Sequence, residues 1–158
     1  MATFGTFTSA VLTAAELNSG TGGAWTDYSG SITFTNFTKG NATVVARYRQ
    51  LGREVFVHVE VTLGTTSAVT GLIGISRPVT AASGTSGTCL VPITDSGTDY
   101  PIGFLFNTAT TRFDLHVQNT AGTYAKLAAT SSTVPMTWTT SDQFWFDTVY
   151  EASTDAAA

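Results

Sequence analysis

A chain of 158 residues that is 42% hydrophobic and 11% aromatic carries enough apolar mass for one domain with its own core. Only 11% of its residues are charged, against roughly 25% in a typical soluble domain, so Thr, Ser, Gly and Asn must supply the polar surface. With a net charge of −4 and only Lys39 and Lys126 as lysines, there is no basic field to gather phosphates, and nucleic acid is excluded as an expected partner.

In chain order, the opening MATFGTFTSA has no positive n-region and no apolar run of signal-peptide length. No stretch reaches the roughly 18 consecutive apolar residues of a membrane span. Neither export by that route nor a membrane partner is expected. Residues 1–23 are rich in Gly, Thr and Ala, and Thr13 with Glu16 three positions later fits a capping box. In that arrangement each side chain satisfies a backbone N–H that the start of a helix leaves free. Asn18 and Gly20 then end the helix after one to two turns. A helix so short is marginal alone, so it is expected to order by docking, with Val11, Leu12 and Leu17 as its apolar contacts. Residues 1–23 thus read as an attachment arm and residues 24–158 as the folded domain.

From Trp25 onward, short β-type runs are separated by Gly, Pro, Asn, Asp and Ser clusters, and no helical period lasts three turns. Strands are expected at 31–38, 42–49, 54–63, 71–77, 88–94, 100–107, 111–118, 123–128 and 143–151. Eight or nine strands at this spacing describe an all-β, antiparallel sandwich or barrel. Gln50-Leu51-Gly52-Arg53 offers a tight turn, so the second and third runs pair as a hairpin. In the third run Val55, Val57, Val59, Val61 and Leu63 take one face, and Glu54, Phe56, His58, Glu60 and Thr62 take the other. The valine row is a core face. The opposite row is either a plain solvent surface or a subunit contact, in which Phe56 supplies apolar area and His58 with Glu60 supplies polar pairing. The subunit contact is the expectation.

Pro78, Pro92, Pro101 and Pro135 stand at the ends of runs or inside short ones, where a residue without a ladder N–H is tolerated. Pro92, between Val91 and Ile93, marks its strand as an edge. Thr94-Asp95-Ser96-Gly97-Thr98-Asp99 lacks the calcium-loop pattern and reads as a turn. Cys89 is alone, so no intrachain disulfide forms, and with no basic neighbour to activate it a buried structural thiol is expected. Asp114 and His116 share a strand face at a spacing that suits a base and its orienter, but nothing completes the set and no G-x-S-x-G motif is present. They read as a structural polar pair. Asn36-Phe37-Thr38 and Asn41-Ala42-Thr43 read as strand and turn residues, not glycosylation acceptors. Trp25, Tyr28, Trp138 and Trp145 have faces that suit a sugar, yet the final run carries aromatics on both sides, so most of them fill the core. A glycan contact at Trp25 and Tyr28, in the loops of a rigid β scaffold, is the alternative.

Several segments together resemble the structural appendage proteins of tailed bacteriophages, namely minor tail, head-fibre and capsid-decoration proteins. They are Val11-Leu12-Thr13-Ala14-Ala15-Glu16-Leu17-Asn18, Ala24-Trp25-Thr26-Asp27-Tyr28, Ala46 to Val55, Gly74-Ile75-Ser76-Arg77-Pro78-Val79, Trp138 to Phe144, and Tyr150-Glu151-Ala152. The resemblance implies a trimeric, jelly-roll-like β-sandwich bound to the virion through its N-terminal segment. The short arm departs from longer tail proteins and favours a small decoration or head-fibre subunit. The expectation is therefore a non-enzymatic homotrimer on the virion surface, made in the bacterial cytoplasm, without cofactor or metal, whose partners are itself and a major capsid or tail protein. The alternative is a minor tail or receptor-binding protein that recognises host cell-wall glycan. An enzyme acting on wall sugar needs a carboxylate pair, for which only Asp95, Asp99, Asp114, Glu60 and Asp142 are candidates, scattered over separate strands and turns.

Overall fold

The computed structural model describes residues 24–84 and 88–155, and every regular element among them is a β-strand. The expected capping-box helix, with Val11, Leu12, Thr13, Glu16 and Leu17, lies outside the described residues. The strands are β1 (Thr26–Asp27), β2 (Phe34–Thr38), β3 (Thr43–Leu51), β4 (Glu54–Thr62), β5 (Ala68–Ser76), β6 (Thr88–Asp95), β7 (Thr98–Ala109), β8 (Arg112–Asn119), β9 (Lys126–Ala129) and β10 (Gln143–Glu151). All pair antiparallel in one sheet, ordered β1-β3-β4-β10-β6-β7-β8-β5-β2, with β9 on β8.

The sheet curls into a half-barrel, because the inward rows of its two halves bury each other. Phe37 on terminal β2 packs 6.3 Å from Phe144 on central β10, and Phe113 on β8 packs 5.7 Å from Phe146. The all-β, antiparallel expectation holds, and the ladder runs through β10 and β6 where two facing sheets would be separate. On β4 the expected alternation is complete: Val55, Val57, Val59, Val61 and the following Leu63 are at most 3% exposed, worth roughly 1.5–3 kcal/mol each in apolar burial. The β3–β4 connection is the two residues Gly52-Arg53, since Leu51 pairs with Glu54. Gly52 has φ 57°, which a residue without Cβ adopts freely. At the β6–β7 hairpin, where Asp95 pairs with Thr98, Ser96 and Gly97 both have positive φ, at 41° and 102°. That matches a two-residue turn whose twist suits the flanking strands, so the expected turn is present.

Two expectations are corrected. The run beginning at Ser31 enters its strand only at Phe34, because the N–H groups of Ser31 and Ile32 both donate to Tyr28 O in a turn. Within β2 a bulge falls at Asn36, with φ 55°, whose Nδ2 donates instead to Leu72 O at 3.0 Å. Pro92 does not lie on an edge strand, for β6 has neighbours on both sides. The ladder to β10 covers only Gln143–Thr94 and Phe144–Ile93 and stops where proline has no N–H to donate, while β6 bulges against β7 between Val91 and Ile93. The missing N–H thus interrupts one ladder without making the strand an edge.

Candidate functional site

The outward residues of β3, β4 and β10 are fixed by two long ladders, nine residue pairs each. Their registers set Arg47, His58 and Asp147 in one row across the three strands. Arg49, Phe56 and Val149 form the next row, and Val45, Glu60 and Trp145 the one on the other side. The period of two that buries the valines of β4 therefore exposes a face mixing aromatic, apolar and charged groups.

At its centre, His58 Nδ1 lies 2.9 Å from Asp147 Oδ1 and Nε2 lies 3.5 Å from Glu60 Oε1. The imidazole is mostly covered, whereas the Asp147 and Glu60 side chains stay 76% and 56% exposed. On the β3 side the Arg49 guanidinium sits 4.6 Å from the Phe56 ring centre. The guanidinium groups of Arg47 and Arg49 sit 5.4 and 5.6 Å from the Trp25 ring. Stacking of this kind holds an arginine in place while leaving its charge uncompensated.

Two grooves flank the central row. One, of about 420 Å³, runs between Trp25 and Phe56 on one wall and Thr88 and Cys89 on the other, over Asp147 and Val149, where the β10–β6 ladder has stopped. The other, of about 280 Å³, is lined by Glu60, Thr62, Gln143 and Trp145. Cys89 is half-buried, and burial pushes its thiol pKa up against the opposing hydrogen bond from Thr148. That is the opposite of an activated nucleophile.

Of the residues expected at a contact, Phe56, His58 and Glu60 share this face. Trp25 is there too, 43% exposed. Tyr28 is corrected: it is 6% exposed and packs edge-on against Tyr48 at 5.7 Å, so it has no ring face to give a sugar. Asp114 is buried and engaged by Arg112 Nε at 2.9 Å, while His116 packs edge-to-face with Phe106, ring centres 5.1 Å apart. Asp142 is buried and accepts the Thr139 N–H in the turn before β10. Among the described residues, no group of three or more His, Cys, Asp or Glu is placed to hold a metal ion. Arg47 and Arg49 stand on the strand that the expected hairpin already pairs with β4, whereas Asp147 is out of reach of the sequence: the alternation on the last strand is visible, but its pairing with a strand 89 positions earlier is not. No family model, curated protein or solved structure matches the chain.

Proposed function

We propose that the protein is a non-enzymatic bacteriophage structural subunit: a homotrimeric decoration or head-fibre protein attached to the capsid through residues 1–23. The observation that carries the self-associating part is the β3–β4–β10 face, where Trp25, Phe56, Val149 and Val45 stand outward beside charges of both signs on a charge-poor chain. Each half-barrel then serves as the jelly-roll-like module of one subunit. Three arms multiply a weak contact, since after the first docks the others bind at high effective concentration. The test is quantitative mass spectrometry of purified particles together with native mass spectrometry of the isolated chain. Hundreds of copies per particle and a trimer are expected; a few copies place it on the tail, and absence from particles overturns the reading.

A second reading, recognition of host cell-wall glycan, is favoured by one feature. Trp25 forms a wall of an open groove that also holds the Asp147 carboxylate and the hydroxyl-bearing Thr88 and Thr148. Calorimetric titration with host wall polysaccharide tests it, and no heat from any wall fraction removes it.

A further inference from the structure

The outer face of β3, β4 and β10 is divided by sign of charge. Arg47 and Arg49 stand on β3, while Asp147 stands on β10 and Glu60 beside it on β4. In the central row Arg47 and Asp147 lie on opposite sides of His58, two strand spacings or roughly 10 Å apart, with Arg47 turned to Trp25 and Asp147 to His58. Arg47 is exposed and held by Trp25, and Asp147 keeps most of its side chain in solvent although one oxygen meets His58. Apolar area accompanies each flank, Trp25 and Phe56 with the arginines and Val149 and Trp145 with the carboxylates.

We propose that the partner on this face is a second copy of the chain, bound head-to-tail so that the arginine flank of one copy meets the carboxylate flank of the next. This rests on the self-association proposed above and adds its geometry. A contact built from one flank alone sets like charges against each other, which costs affinity. A contact between unlike flanks satisfies both, and because it uses a different patch on each partner it repeats around a ring that three copies close. The apolar groups beside each flank supply the area that exposed ion pairs alone do not.

The experiment reverses one charge of the central row at a time, with assembly followed by light scattering and native mass spectrometry and folding checked by circular dichroism. Arg47→Glu sets a carboxylate against the Asp147 side of the next copy and Asp147→Arg sets a guanidinium against the Arg47 side, so each variant is expected to trimerise at least ten-fold more weakly. The chain carrying both substitutions restores an unlike pair between positions 47 and 147 with its signs exchanged, and it is expected to recover the trimer. Recovery also shows that neither substitution acts by unfolding the subunit. Raising the salt concentration is expected to weaken the parent trimer, because these groups lie where ions screen them. A parent chain that is monomeric at micromolar concentration overturns the self-association itself. A parent trimer that ignores the single reversals, or single losses that the double reversal does not repair, overturns the head-to-tail contact and leaves the self-association standing.

Discussion

Tyr150 Oη donates to the Val79 carbonyl at 2.6 Å and accepts the Val79 N–H at 3.2 Å, so one buried hydroxyl on β10 satisfies both backbone groups of a residue beyond β5. The link ties the segment after β5 to β10, next to the antiparallel bridge between Ala81 and Ala152. Removing the hydroxyl strands two polar groups at once, so Tyr150→Phe is expected to cost about 1–3 kcal/mol at neutral pH, read from urea denaturation. Burial, partly offset by the Val79 hydrogen bond, pushes the phenol pKa up to about 12. An unfolded tyrosine ionises at about 10, so above that pH the unfolded chain has lost a proton that the native chain keeps, and stability falls by about 1.4 kcal/mol per pH unit. The gap between parent and Tyr150→Phe should therefore narrow as pH rises from about 10 to 12. A constant gap across that window refutes the assignment.

Tyr28 is the converse case. Its hydroxyl is buried without a hydrogen-bond partner among the described residues, and burial raises its pKa further still. Tyr28→Phe removes an unsatisfied polar atom and keeps the ring against Tyr48. It is expected to leave stability unchanged or to raise it by up to about 1 kcal/mol at pH 7, and to move alkaline unfolding to higher pH. A loss of more than about 1 kcal/mol would mean that the hydroxyl has a role in the core.

Arg77 lies almost wholly buried between two aromatic rings, its guanidinium 4.4 Å from the Phe113 centre and 4.7 Å from Tyr150, with Nε donating to Arg112 O at 3.2 Å. A planar cation fills such a slot; a lysine ammonium keeps the charge and loses the stacking. Arg77→Lys is expected to lower stability by about 1–2 kcal/mol, seen as a lower melting temperature. An unchanged melting curve would show that charge alone suffices.

Gly40 has φ 53°, and a Cβ there would run into the Thr66 carbonyl oxygen. It sits beside a clasp between two turns, in which Asn41 Oδ1 accepts both the Thr66 N–H and its hydroxyl at 2.9 Å. Strain and clash act together, so Gly40→Ala is expected to destabilise by about 2 kcal/mol or more. Thermal denaturation checks it, and a variant as stable as the parent would mean that the turn relaxes freely.

For assembly, Phe56→Glu places a charge in the proposed contact and is expected to weaken the trimer by burying it unpaired. Light scattering that shows an unchanged trimer removes Phe56 from the interface. Chains lacking residues 1–20 are expected to remain folded trimers that no longer attach to particles; attachment without the arm overturns its role.

The β-strands were legible because alternation is a local property. Val55 to Leu63 betray a buried face through their spacing alone, and Gly52 and Gly97 announce turns through the φ values that glycine tolerates. The bulge at Asn36 was not legible: a short polar residue within a strand looks the same whether its side chain points to water or replaces a ladder bond to Leu72. Pro92 was half legible, since its missing N–H breaks one ladder while the other, to β7, resumes past a bulge.

The candidate face divides in the same way. Phe56, His58 and Glu60 are set on one side of one strand by the period of two, so the sequence by itself determined that they share a surface. Only the tertiary structure decided that Arg47 and Asp147 flank His58 there, that Trp25 lies over the arginines, and that Tyr28 turns inward. The physical reason is distance along the chain. Alternation is enforced between neighbouring residues by backbone geometry, whereas the choice of β10 as the partner of β4 is made by the core those strands bury together, a property of the whole fold.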